Sequence, residues 1–175
     1  MSIIVLTAGH SSTDPGACSG GYTEAGLMLE LRDVTAEMLR DLGHVVIKDG
    51  GDGENLPLRH AISLIEQGAI AVELHTNASD NPAARGVEAI SLPDQREFSR
   101  RLAQKVAGAL QTRVRGDAGW IDQSQSLRGR LGYVNAGGVI LETFFISNPL
   151  EREAYFARLA DVAGAIADAI HEELH

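Results

Sequence analysis

Apolar residues along the chain fall into two alternating patterns. Short continuous apolar runs predict buried β-strands, and longer segments with apolar residues three and four positions apart predict amphipathic helices. The predicted strands are residues 3–8, 44–48, 69–74, 86–92 and 138–145. The predicted helices are residues 22–42, 57–67, 94–112 and 149–174. The Gly- and Arg-rich stretch 113–138 has neither pattern, and we expect loops there with one short strand.

The alternation of strands and helices predicts an α/β fold. We expect a single domain with a twisted, mostly parallel mixed sheet of about five to six strands, flanked by helices on both faces. The 175 residues fit one domain, and the apolar content of 44% is sufficient for a sizeable core. No repeat, low-complexity tract or Pro/Ser-rich linker divides the chain.

Charge and cysteine content exclude several classes of protein. The formal net charge of −9, without a Lys/Arg cluster, argues against a nucleic-acid partner. The longest N-terminal apolar run, IIVLTA, is too short to span a membrane and has no basic flank, so neither membrane insertion nor a signal peptide is predicted. The single cysteine, Cys18, allows no internal disulfide. We expect a monomer that is made in the cytoplasm.

Polar side chains stand at or near the ends of three predicted strands. His10 follows the first strand, His75 follows the third, and Glu142 lies among apolar neighbours in the last, VILETFF. Ligand sites in α/β sheets lie where loops leave the carboxyl ends of the strands, so parallel strands would bring these residues to one edge. Glu24, where the first helix begins, is a fourth candidate.

These four residues supply the parts for metal-assisted amide hydrolysis. His10, Glu24 and His75 match a zinc ligand set that leaves a fourth position open for water. Glu142 could take a proton from this water and pass it to the leaving amine. The alternatives are a structural role for either histidine and a helix-dipole role for Glu24. Glu142 has the weakest structural alternative, because a carboxylate in an apolar strand is costly unless it is paired or functional.

Six segments carry a family resemblance, in order, along nearly the whole chain. They are LTAGHSSTDPGA, GGYTEAGLMLEL, LPLRHAISLI, ELHTNAS, GVEAISL and ILETFFISNPLE. They resemble the zinc-dependent N-acetylmuramoyl-L-alanine amidases of the amidase type 3 family, which are the catalytic domains of bacterial autolysins and phage endolysins. ELHTNAS and ILETFFISNPLE are the specific matches, and the opening segment is looser.

The resemblance implies Zn²⁺ bound by His10, Glu24 and His75, with Glu142 as the catalytic carboxylate. It implies peptidoglycan as substrate, with hydrolysis of the amide between the lactyl group of N-acetylmuramic acid and the L-alanine of the stem peptide. Residues 1–175 would then be one amidase catalytic domain without a separate wall-binding domain. It looks most like an endolysin or cell-wall lytic enzyme that reaches the wall after release from the cytoplasm.

Two weaker candidates and one departure concern the surroundings of this site. Asn77 and Arg128 are candidate substrate contacts. Glu73 stands where the family usually has a serine, which leaves the bonding behind the second histidine open. The stretch 113–138 is too short for the inhibitory helix of some family members, so we predict an enzyme without that autoinhibition.

Two other functions are compatible with the same residues. A zinc carboxypeptidase or endopeptidase acting on the stem peptide would use the same metal chemistry and would differ only in its products. A wall-binding module with structural zinc would differ in tolerating the loss of the Glu142 carboxylate.

The last five residues, HEELH, match the H-E-x-x-H pattern of zinc peptidases. That pattern needs a third ligand from further along a domain, and none follows in this sequence. We interpret His171 and His175 as part of a solvated helix end, favoured there by the helix dipole, that would bind metal only adventitiously.

Overall fold

The computed structural model describes residues 1–126 and 130–175. Eight strands are present in these residues. They are β1 (Ile3–Ala8), β2 (Cys18–Ser19), β3 (Tyr22–Thr23), β4 (Val45–Lys48), β5 (Ile70–Asn77), β6 (Glu88–Ser91), β7 (Trp120–Asp122) and β8 (Val139–Phe145). The α-helices are α1 (Glu24–Asp41), α2 (Leu58–Leu64), α3 (Arg96–Leu110), α4 (Gly132–Asn135), α5 (Pro149–Ala157) and α6 (Leu159–Glu173). No helix in this part of the chain is long and apolar enough to cross a membrane.

Six of the strands form one mixed sheet in the order β4-β1-β5-β8-β6-β7, and β2 pairs with β3 in a separate ribbon. Strands β4, β1, β5 and β8 run parallel, whereas β6 is antiparallel to β8 and parallel to β7. The predicted α/β fold with a mostly parallel mixed sheet is confirmed. The short strand expected within 113–138 is β7.

The sheet has a hydrophobic core on each face, because successive side chains of a buried strand point to opposite sides. In β1, Ile4 and Leu6 belong to the larger core and Val5 to the smaller one. The larger core is covered by α1, α3 and α6, and the smaller one by α2 and α4. A strand that is buried on both faces reads as a continuous apolar run, which is why IIVLTA predicts β1.

The closing helix predicted over 149–174 is wrong in one respect. Two helices, α5 and α6, replace it, and they are separated at Arg158, whose φ of −134° and ψ of 23° are not helical. The break lets Tyr155 stack on Phe144, at 4.6 Å between ring centroids, and donate a hydrogen bond to the Leu27 carbonyl oxygen. Phe156, the next residue in α5, is 43% exposed.

The first helix begins at Glu24, two residues later than predicted. Thr23 is its N-cap, and the Thr23 hydroxyl accepts a hydrogen bond from the Gly26 N–H at 3.2 Å. Tyr22 and Thr23 instead form β3, which closes the loop after β1. Glu24 is therefore in the first helical turn, in contact with that loop.

Candidate metal centre

His10, Glu24 and His75 meet at the carboxyl ends of the adjacent parallel strands β1 and β5. Glu24 Oε2 lies 3.0 Å from His10 Nε2, and Glu24 Oε1 lies 2.9 Å from His75 Nδ1. The possible ligand atoms of the three residues all lie within 4.8 Å of one another. The predicted convergence at one edge of the sheet is therefore observed.

Glu24 is held by backbone donors as well as by the two rings. Its Oε1 accepts a hydrogen bond from the Thr76 N–H at 2.9 Å, and its Oε2 accepts one from the Ala17 N–H at 3.0 Å. The side chain is 2% exposed. A buried carboxylate with this many fixed donors keeps one orientation, which places both oxygens toward the histidines.

Close approach of two glycines leaves room for the rings. A Cβ on Gly9 would lie 2.2 Å from His75 Cε1, and a Cβ on Gly16 would lie 2.5 Å from His10 Cδ2. Gly16 also has a positive φ of 66°, a conformation that favours glycine. Gly16 belongs to the segment LTAGHSSTDPGA, so this contact gives a physical reason for the glycine in that segment.

Asn55 supports the unusual backbone of His10. His10 has a φ of 67°, which is uncommon for a residue with a side chain. The Asn55 side-chain amide donates hydrogen bonds to the carbonyl oxygens of Gly9 and His10, both at 3.1 Å. The Asn55 side chain thus binds the His10 loop, and the N-cap of α2 is Pro57.

The loop that carries Asn55 is anchored by a buried arginine. Arg32 is fully buried and donates hydrogen bonds to Asp49 Oδ1 at 2.8 Å and to the carbonyl oxygens of Gly51 and Glu54 at 2.8 and 2.9 Å. Asp49 is also fully buried. This network connects α1 to the loop that positions His10.

Each histidine has a second carboxylate on the ring nitrogen that points away from the first contact. Glu73 Oε2 lies 3.0 Å from His75 Nε2, and Asp14 Oδ2 lies 3.0 Å from His10 Nδ1. Glu73 and His75 are two positions apart in β5, so they share a face of the strand. Carboxylates in this position orient a metal-binding imidazole and raise its basicity.

The carboxylates also set the protonation of the rings. Burial lowers the pKa of His75, but hydrogen bonds with Glu24 and Glu73 outweigh it and raise the pKa well above its usual value. Burial raises the pKa of Glu24, yet the two histidines outweigh it and hold that pKa far below the usual range. The Glu24 carboxylate therefore stays ionised at every physiological pH.

The three residues fit a divalent metal ion. His10 Nε2 is buried, and although it lies 3.0 Å from Glu24 Oε2, it makes no hydrogen bond with any described residue. A buried nitrogen without an aligned hydrogen bond is costly in a folded protein, and coordination would use its lone pair. Two imidazoles and a carboxylate are the ligand types of catalytic zinc sites, which keep one position open.

Glu142 lies beside this centre on the wall of an open cleft of about 850 Å³. In the parallel pairing of β5 with β8 it is the register partner of His75, so both side chains project from the same face of the sheet. The cleft is also lined by His10, Asp14 and Tyr133. The arrangement offers a metal ligand set and a neighbouring carboxylate to a molecule bound in the cleft.

The two weaker substrate candidates have different outcomes. Asn77 lines the cleft, and its side-chain amide donates a hydrogen bond to Glu88 Oε1 at 3.0 Å. Glu88 is also held by Arg115, which donates a hydrogen bond to Glu88 Oε2 at 2.6 Å and lies 4.9 Å from the centroid of the Phe145 ring. Arg128 lies outside the described residues. Substrate binding by Asn77 stays a prediction.

Comparison with known proteins places this geometry in a family. The family model described as N-acetylmuramoyl-L-alanine amidase matches residues 4–172. The chain belongs to this amidase family. The resemblance in the six sequence segments therefore led to the correct family.

Individual members of the amidase family show how far the likeness extends. A Neisseria meningitidis structure assigned as an N-acetylmuramoyl-L-alanine amidase is 41% identical, with a TM-score of 0.92 over 99% of this chain and 96% of that chain. The catalytic domain of the amidase CwlV from Bacillus (Paenibacillus) polymyxa var. colistinus is 24% identical, with a TM-score of 0.84 over 99% and 98% of the two chains, and shares the fold.

A longer relative matches over part of its length. N-acetylmuramoyl-L-alanine amidase AmiC of Neisseria meningitidis serogroup B is 26% identical over 195 residues, which covers 86% of this chain and 47% of AmiC. The chain thus spans about half the length of this relative.

Proposed function

We propose that this chain is a zinc-dependent N-acetylmuramoyl-L-alanine amidase. Its reaction is hydrolysis of the amide between the lactyl group of N-acetylmuramic acid and the L-alanine of the peptidoglycan stem peptide. The observation that carries the proposal is the convergence of His10, Glu24 and His75 beside Glu142, on an open cleft, in a member of the amidase family.

His10, Glu24 and His75 would hold the zinc ion. When bound there, zinc supplies a Lewis acid that polarises a carbonyl group and makes a water molecule acidic near neutral pH. Glu73 and Asp14 keep the two rings in one orientation through their far nitrogens. Because all of these groups are fixed before substrate binds, little reorganisation is needed during the reaction.

Glu142 would transfer the proton. Its carboxylate accepts the proton of the attacking water, and the same group then donates it to the nitrogen of the leaving L-alanine as the amide C–N bond breaks. The position of Glu142 beside His75 puts this carboxylate within the same part of the cleft as the ligand set. The products are a free lactyl carboxylate and a stem peptide with an amino-terminal L-alanine.

Replacement of Glu142 by glutamine tests this assignment. The variant keeps the size of the side chain but removes the proton acceptor, and we expect a loss of activity of at least about 100-fold with zinc content unchanged. Glu66→Gln, the same change at an exposed position away from the cleft, serves as the matched control. Loss of zinc in Glu142→Gln would make Glu142 a ligand, and full amidase activity would show that Glu142 does not carry the proton. A wall-binding module with structural zinc would show no hydrolysis even in the wild type.

We propose further that the activity serves lysis of the cell wall, with peptidoglycan as the partner of a monomeric enzyme. Production of the protein in the cytoplasm should then leave bacteria intact until the membrane is permeabilised, when turbidity should fall. Lysis without permeabilisation would contradict this order of events.

A further inference from the structure

A second group of metal-ligating side chains lies at the opposite edge of the sheet. His44 stands just before β4, and His171 and His175 lie at the end of α6. Because β4 runs parallel to β1, His44 is at the amino ends of the strands, whereas His10 is at the carboxyl ends. The two groups are separated by the length of a strand, which is about 20 Å for six residues.

The three rings face one another closely. His44 Nε2 lies 2.9 Å from His171 Nδ1, and the ring centroids of His171 and His175 are 4.4 Å apart. The His44 centroid lies 5.1 Å from that of His171 and 5.7 Å from that of His175. The possible ligand nitrogens of all three lie within 4.8 Å of one another, as in the first centre.

His44 is buried, and one of its ring nitrogens has no hydrogen-bond partner within residues 1–126 and 130–175. The residue is 5% exposed, and its buried Nδ1 has no hydrogen-bond partner among the residues that the structure describes. In the described part of the chain no ion pair joins these three rings to a carboxylate.

The two glutamates between His171 and His175 are paired with basic residues of another helix. Glu172 and Glu173 form ion pairs with Lys105 and Arg101 of α3. These two ion pairs hold the end of α6 against α3 and engage both glutamates. Three imidazoles remain, and their number matches the histidine ligand set of some zinc sites.

We propose that His44, His171 and His175 form a second binding site for a divalent metal ion of the late first transition series, with Zn²⁺ as the physiological occupant. Imidazole nitrogen suits zinc, copper and nickel, whereas magnesium and calcium prefer oxygen ligands. The pair His171 and His175, one helical turn apart, supplies two ligands, and His44 supplies the third from an element distant in sequence. The HEELH pattern is thus completed from upstream.

Metal at this site would strengthen a connection that the described residues otherwise make through packing and the contact between His44 and His171. β4 is an edge strand of the sheet, and α6 covers the larger core. A ligand that binds only the folded protein stabilises it, so zinc should strengthen the attachment of the last turn of α6 to the turn before β4. This site lies outside the cleft, so its role is structural.

Metal stoichiometry tests the proposal independently of the amidase activity. Chelator-stripped protein is dialysed against micromolar Zn²⁺, and bound zinc is measured by mass spectrometry. We expect two ions per chain in the wild type, one in His171→Ala, one in His10→Ala and none in the double variant. Glu172→Ala, at the same helix end, is the matched control and should keep two ions.

Each outcome decides between the two sites. One ion in the wild type, retained in His171→Ala but lost in His10→Ala, would overturn the second site. One ion retained in His10→Ala but lost in His171→Ala would support the second site and count against the first. Binding only at millimolar zinc would be adventitious and would overturn the proposal.

Hydrogen exchange gives a second measurement that does not depend on counting ions. In the His10→Ala background, zinc should slow exchange of the amides in the last two turns of α6. His175→Ala, which alters an exposed residue, should abolish the slowing without unfolding the protein. Equal exchange with and without zinc in His10→Ala would contradict the proposal.

Discussion

Glu73 provides the sharpest prediction about the metal centre. Its carboxylate lies 3.0 Å from His75 Nε2 and is 3% exposed, so water cannot replace it easily. A hydrogen bond to a charged group contributes about 1.5–3 kcal/mol. At 1.4 kcal/mol per factor of ten, loss of this contact should weaken zinc binding by about 10–100-fold.

Two substitutions at Glu73 separate charge from hydrogen bonding. Glu73→Gln retains an oxygen that can accept from His75 and loses only the charge, so we expect a weakening of about tenfold, at the lower end of that range. Glu73→Ala removes both and should approach the upper end, about 100-fold. Competition with a chromophoric chelator in the His171→Ala background measures the affinity of the first centre alone. Wild-type affinity in Glu73→Ala would refute the reasoning.

Three further predictions concern stability, pH and the chain end. Arg32→Met should destabilise the fold by about 3–5 kcal/mol in urea unfolding, because it leaves the buried Asp49 unpaired; a change below about 1 kcal/mol would contradict this. Burial lowers the pKa of His75, but its carboxylate partners raise that pKa by a larger amount. The metal-free protein therefore holds a proton on the His75 ring at pH 7, and zinc must displace it. Zinc affinity should therefore rise with pH, and calorimetry in buffers of different ionisation enthalpy should show proton release; equal heats would contradict it. Deleting residues 171–175 should spare amidase activity, measured on purified peptidoglycan, because the cleft lies at the other edge of the sheet.

The strands and the ligands they carry could be predicted because their signals are local. A strand buried on both faces is a continuous apolar run, so IIVLTA and VILETFF indicate β1 and β8 directly. To locate a side chain at the end of a strand, only the direction of that strand has to be known. This is why His10, His75 and Glu142 could be assigned to one edge before the sheet order was known.

Contacts between elements distant in sequence could not be predicted in the same way. The break at Arg158 has no glycine or proline to mark it, and it depends on how α5 packs on β8. The approach of His44 to His171 joins residues that are 127 positions apart. Without that contact, HEELH lacks a third ligand, so the sequence alone indicates a solvated helix end. With His44 in place, metal binding by these histidines can be tested.

The role of Glu73 lies between these two cases. Its spacing of two from His75 places both on one face of a strand, and this could be read from ELHTNAS. The spacing alone does not identify the contact between Glu73 and His75, because a side chain on a buried strand is equally close to groups on neighbouring elements. The distance between Glu73 Oε2 and His75 Nε2 resolves it.

The central claim is that zinc at His10, Glu24 and His75 serves cleavage of the lactyl–alanine amide. Its most direct test is digestion of purified peptidoglycan with and without a chelator, followed by identification of the new chain ends. We predict free muramic lactyl groups and stem peptides with amino-terminal L-alanine, both abolished by the chelator and restored by zinc. Cleavage within the stem peptide, or product formation that persists after zinc is removed, would contradict it.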